Sequence, residues 1–360
     1  MERRTPAYAA ATLLACSVAL LAAVPAGDPL AAEIARWSAY VRDNRSTDEN
    51  WTQVKQAVEP VLARASKALQ DGQRSLALLR LASARVNLAA SQYVQSRPAA
   101  ERTDIAAFES EWARMGKVLA ADRKPVSPGA LEKLRPAAVR AIAEAAAPQV
   151  KTFYDASLDY ARATTAQYGL FYVGNAAAQR DFVAFCRTLS EPRSASAPPV
   201  RSLAADLDLL ETELLAAYRP PASIDRHSEF IGASATLKEA RELDQAGLRY
   251  GALLRYLQAA QRLSPLRAAS APPDDDAALA AGVAAFETRL AAAREDPSIG
   301  RLFVDAARSD LAEPGGPRTI SRAIVSDVFP RYVTALEPAP PAAAKAEPRV
   351  TVTLVRWPYT

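Results

Sequence analysis

From residue 29 onward, nonpolar side chains return at steps of three and four, and no alternating pattern interrupts them before residue 349. That period predicts amphipathic helices. Divided at proline and glycine, the helices run over roughly 29–43, 48–70, 73–96, 102–121, 128–147, 149–163, 168–190, 199–218, 224–245, 248–263, 275–294, 298–311 and 318–336. The breaks fall at EPRSASAPPV (191–200), RPPAS (219–223), SAPPDDD (270–276) and AEPGGP (312–317). A chain patterned in this way is expected to be all-α.

The pattern changes at the C-terminus. Residues 337–348, EPAPPAAAKAEP, read as a proline-alanine linker, which in polyproline II form reaches on the order of 35 Å. Beyond it Val350, Val352 and Leu354 alternate with Thr351, Thr353, Val355 and Trp357, the strand-like signature of a short tail over 349–360. A lone strand leaves its backbone groups unpaired, so the tail is expected to dock on another surface through Val352, Leu354, Trp357 and Tyr359.

The chain also repeats itself. Residues 69–88, LQDGQRSLALLRLASARVNL, face 244–263, DQAGLRYGALLRYLQAAQRL, at an offset of 175. Gln70/Gln245, Gly72/Gly247, Arg74/Arg249, the two Ala-Leu-Leu-Arg runs, Ala84/Ala259 and Leu88/Leu263 coincide. IAAFES (105–110) then faces VAAFET (283–288), and RAIAEAAAP (140–148) faces RAIVSDVFP (322–330). Three matches in one order mark 59–150 and 234–332 as copies of one helical unit. The expected division is an N-terminal repeat unit over 27–198 and a C-terminal one over 199–336.

In GLRYGALLRYLQAAQRL a glycine ends one helix and small residues on the next let the pair approach closely. Gly247, Ala252, Leu253, Tyr256 and Ala259 resemble the second helix of a tetratricopeptide repeat, as do Gly72, Ala77, Leu78 and Ala84, with Leu81 in the aromatic position. Val173 and Gly174 supply a partial first-helix match. The first helices depart from that family, with Thr236, Glu239, Ala240 and Leu243, or Val61, Arg64, Ala65 and Ala68, at its signature positions; Pro265 is one residue out of place. The resemblance covers about a third of the chain. It implies antiparallel helical hairpins stacked as an α-solenoid, with a concave surface suited to a partner protein or peptide. On that geometry Gln70, Arg241, Asp244 and Gln245 line the concave face.

MERRTPAYAAATLLACSVALLAAVPA, a charged start and an apolar run with small residues at its end, reads as a secretory signal peptide cleaved after Ala26. Leu13-Leu14-Ala15-Cys16 also fits a lipoprotein box, and an uncleaved membrane anchor is a third reading. The expected location is periplasmic or extracellular, with membrane contact only through that segment. Removal of Arg3, Arg4 and Glu2 leaves 42 basic and 39 acidic residues, a net charge of +3.

The composition of 360 residues excludes more chemistry than it supplies. A single histidine, His227, rules out a multi-histidine zinc site, and its neighbours Asp225 and Ser228 form no triad by adjacency. Cys186, behind Phe182 and Phe185 at helical spacing, reads as a buried thiol. Basic and acidic residues interleave without a cationic stripe, which argues against nucleic acid. No glycine-rich phosphate loop is present, and no cofactor or catalytic residue is expected. Glu109-Ser110 resembles the opening of the lytic transglycosylase motif, without that family's glycine-rich sequel. Tyr154, Tyr160, Tyr168, Phe171 and Tyr172 form an aromatic-rich patch, read first as core.

The expected function is a non-enzymatic exported scaffold or adaptor that binds a protein or peptide of the cell envelope. The alternatives are a peptidoglycan-acting hydrolase using Glu109 and a structural subunit assembled through the C-terminal strand.

Overall fold

The computed structural model describes residues 27–47, 49–121, 127–191, 195–220, 224–267 and 275–337. Both the proposed signal segment and the strand-like tail lie outside these residues. Among the described residues the protein is all-α, without a strand.

The chain opens with α1 (Pro29–Asp43), started by Asp28, whose carboxylate accepts from the Leu30 amide at 3.0 Å. Helices α2 (Glu49–Gln70) and α3 (Arg74–Gln95) form a hairpin. The short α4 (Ala99–Thr103), α5 (Ile105–Ala121) and the single turn α6 (Pro128–Leu131) lead to α7 (Ala137–Ala163) and α8 (Ala166–Thr188). Then come α9 (Ala204–Ala217), α10 (His227–Gln245), α11 (Arg249–Arg267), α12 (Asp276–Ala291) and α13 (Ser298–Leu311). The last helical stretch comprises α14 (Thr319–Ala323), a π segment (Ile324–Val328) and α15 (Phe329–Leu336).

The α2–α3 and α10–α11 hairpins turn in the same way. Gly72 and Gly247 both sit at φ +76, a left-handed conformation that disfavours any side chain. At the first turn Gly72 donates to the Leu69 carbonyl and Gln73 to Ala68; at the second Gly247 donates to Asp244 and Leu248 to Leu243. These are helix-terminating pairs of one type. The arginine that follows each glycine also has one role. Arg74 grips Asp28, the cap of α1, at 2.6 and 2.9 Å, while Arg249 grips Asp244, which accepts at 3.0 Å from the amide of Leu203, the residue that precedes α9. Helix α1 packs against α2 and α3, and α9 packs against α10 and α11.

Helix α7 is the hub, touching α3, α5, α8, α10, α11 and α13. Its buried run Ala141 to Ala147 explains why: small side chains on every face let helices close in from several sides. At Gly251 an added Cβ would lie 2.8 Å from Glu144 Cβ and 2.9 Å from the Ala145 nitrogen, so α11 lies nearly backbone to backbone on α7. Glu144 is fully buried in this run, and its carboxylate accepts from the Tyr250 and Gly251 amides, each at 2.9 Å. A carboxylate thus sits at the positive N-terminus of α11, and Arg140 balances it at 2.6 Å while stacking on Tyr250. The main hydrophobic cluster runs from Leu30 to Ala335, with a smaller one around Phe108, Met115 and Val173.

Two expected breaks are absent. Pro148 lies inside α7 and Pro265 inside α11, so 128–147 and 149–163 are not two helices meeting at Pro148. An internal proline loses one backbone bond at a cost of roughly 3 kcal/mol. The close packing of α7 on α8 and α11 outweighs that loss.

Candidate functional site

Between α3 and α11, across the face of α7, lies a groove of about 400 Å³. Its floor is apolar, formed by Leu79, Ile142, Ala145, Ala146 and Leu254. Arg80, Arg255 and Arg262 reach into it, beside the amides Gln149, Gln179 and Gln258. Arg80 and Arg255 are the arginines that close the two Ala-Leu-Leu-Arg runs, so the two matching helices present the same cation from opposite sides.

Their surroundings differ by one charge reversal. Glu239, on α10, stands 2.9 Å from Arg255 Nε, within ion-pair distance but not hydrogen-bonded. The position equivalent to Glu239 at the offset of 175 is Arg64, on α2, whose carbonyl accepts from Arg80 Nη1 at 2.9 Å. Arg80 and Arg262 have no carboxylate partner among the described residues; Arg262 reaches only the Gly232 carbonyl, at 3.2 Å. Burial holds the Arg255 guanidinium below its ordinary range, with Arg262 adding repulsion. Burial does the same to Arg80, with Arg64 as the repelling neighbour and Asp71 pulling the other way. Gln179 donates to Gln149 at 2.6 Å, which leaves the second amide's nitrogen and the first amide's oxygen to face the groove or solvent.

The residues expected on a concave face are dispersed. Gln70 and Gln245 are exposed at the matching ends of α2 and α10. Asp244 is 5% exposed, and its oxygens are taken by Leu203, Ser202 and Arg249. Arg241 pairs with Asp208 at 2.9 Å and Glu211 at 2.7 Å, on a second groove of about 420 Å³ between α9 and α10 that also includes Leu215 and Leu237. None of the four lines the arginine groove. Val352, Leu354, Trp357 and Tyr359 fall outside the described residues. The sequence signal for the groove was the arginine ending each repeated run, which pattern reading takes as part of the packing motif.

The remaining candidates are accounted for locally. Glu109 is half exposed and 3.6 Å from Arg162, without the apolar cleft that holds a carboxyl protonated for acid catalysis. Its counterpart Glu287 pairs with Arg301 and Arg308. His227 Nδ1 lies 2.8 Å from the Tyr218 hydroxyl on the surface. Cys186 is fully buried, and burial pushes its thiol up to about 12, which makes it inert. The aromatic patch divides: Tyr154 stacks on Trp112, Tyr160 on Tyr172, and Tyr168 and Phe171 line an apolar cleft of about 110 Å³ with Trp51. In that cleft Arg102 and Gln95 are already engaged with backbone and side-chain partners, so its walls are mainly apolar.

No group of histidine, cysteine, aspartate and glutamate suited to a metal occurs among the described residues, and none of their helices is long and apolar enough to cross a membrane. Comparison with protein-family models, with curated proteins and with solved structures finds no match to this chain in any of the three.

Proposed function

We propose that this chain is a non-enzymatic, exported scaffold of tetratricopeptide-like hairpins that binds a protein or peptide partner in the cell envelope. The observation that carries this reading is the groove between the matching helices α3 and α11, where an apolar floor is bordered by arginines and amides. Recognition sites of this composition gain affinity from the floor and orientation from a few polar groups. A solenoid made of paired helices presents such grooves as a consequence of its curvature. The signal-like pattern of residues 1–26 supports a partner outside the cytoplasm.

The test is affinity recovery of envelope proteins with the intact chain and with a chain lacking 349–360, side by side. A groove-borne partner is recovered by both. Loss of every partner with the tail removed would instead assign binding to the tail and refute the groove as the binding surface.

A further inference from the structure

We infer that the groove between α3 and α11 is a carboxylate-recognition site, and that its ligand is an extended acidic peptide segment whose apolar side chains rest on α7. This inference rests on the partner-binding reading and names the chemistry of the partner.

Three facts point to an anion. The groove is lined by three guanidinium groups and no carboxylate; Glu239 pairs with Arg255 from α10, and Asp71 attracts Arg80 from beyond the groove. Arg80 and Arg255 face it from equivalent positions on the two matching helices, so one extended ligand can meet a cation on each side. At the position where the second hairpin carries Glu239, the first carries Arg64, so Arg80 meets a like charge where Arg255 meets an acid, and Asp71 attracts it only from a distance. Cations drawn out of water beside like charges gain most when an oxyanion arrives, since charge-assisted hydrogen bonds strengthen as solvent is excluded.

Two further facts favour a peptide over a free phosphate. A floor of Leu79, Ile142, Ala145 and Leu254 offers nothing to a phosphate but accepts aliphatic side chains. The Gln149 oxygen accepts from Gln179 and the Gln258 oxygen from Arg255 at 2.9 Å, which leaves the Gln149 and Gln258 nitrogens as donors and the Gln179 oxygen as an acceptor, a mixed set that a peptide backbone requires and a bare anion does not.

The experiment uses the purified full chain and two fluorescein-labelled, end-capped hexapeptides: alternating Asp and Leu, and the same with Asn for Asp. Anisotropy titration should show the Asp peptide binding at least about ten-fold tighter than the Asn peptide, with Arg80→Gln and Arg262→Gln each weakening it about ten-fold. Both substituted side chains are partly or fully exposed, and unchanged urea midpoints will show that the fold is intact; Arg255→Lys serves for the more buried position, and is expected to weaken binding less than Arg80→Gln. Equal binding of the two peptides, binding of neither, or wild-type affinity in both glutamine variants overturns the inference. So does displacement by inorganic phosphate as effective as by unlabelled Asp peptide at matched ionic strength. Partner recovery from envelope extract that survives both substitutions removes the carboxylate and leaves the scaffold reading; peptide binding with no recoverable partner does the reverse.

Discussion

Gly251→Ala adds one methyl group at the point where α11 crosses α7. The new Cβ would stand 2.8 Å from Glu144 Cβ, 2.9 Å from the Ala145 nitrogen and 3.0 Å from the Glu144 carbonyl carbon. Two of those three atoms belong to the backbone of a helix held on several sides, so no side-chain rotation relieves the contact. Helix α7 must retreat, and its retreat draws Glu144 from the Tyr250 and Gly251 amides, now 2.9 Å away. Overpacking costs about 1–3 kcal/mol and weakened bonds to a charged group about 1.5–3, against a gain of about 1 from replacing a helical glycine. The net expectation is destabilisation by about 1.5–5 kcal/mol. Gly232→Ala is the matched control, because there the new methyl meets only the far end of the Arg262 side chain, at 2.9 Å. Urea unfolding followed by circular dichroism should show a clear loss for the first variant and no loss, or a gain of up to about 1 kcal/mol, for the second. If both variants match the native midpoint, α11 does not lie on α7 as described.

The two hairpin turns should respond alike: Gly72→Ala and Gly247→Ala each place a side chain at φ +76 in open space, and each should cost about 1–2 kcal/mol by the same unfolding assay. Clearly unequal losses would contradict the equivalence of the turns. Burial raises the Asp305 carboxyl to about 6, despite the opposing pull of Arg301 and Arg308. The folded state then holds more protons than the unfolded one between about pH 4 and 6, so this group's contribution to stability falls as pH rises through that window. Asp305→Asn should therefore stabilise the protein at pH 7 by up to about 3 kcal/mol and change little near pH 4; a gain of equal size at both pH values would refute the titration. Glu111 works in the other direction: burial raises its carboxyl, but Arg114, Tyr93 and Arg97 outweigh that and hold it at about 2. Its contribution should be complete above pH 5 and lost toward pH 2, a slope that Glu111→Gln removes; an unchanged acid limb in that variant would count against the cluster.

Much of the fold is legible because it is local. Glycine after an apolar helix, with small residues on the next, specifies each hairpin turn within a few positions, and both turns carry the positive φ that glycine permits. What escapes local reading depends on distant partners. Pro148 resembles a helix end, and only the helices packed around α7 show why the backbone continues through it. Asp244 resembles a groove residue at the end of a first helix, yet it holds Ser202 and Leu203, which lead into α9 some forty positions earlier in the chain. Glu144 binds amides 106 and 107 residues away. The arginine groove lies between these cases, since Arg80 and Arg255 were visible as a repeated pair while the surface they share forms only when α3 and α11 meet across α7.

Site-specific photo-crosslinking in intact cells reads that surface in place. A photoreactive residue at Ser83 or Gln258, both on the groove, should yield discrete adducts with an envelope protein or peptide, whereas one at Glu59, exposed on α2 away from the groove, should not. Adducts from Glu59 alone, or none from either groove position, would contradict a partner seated between α3 and α11.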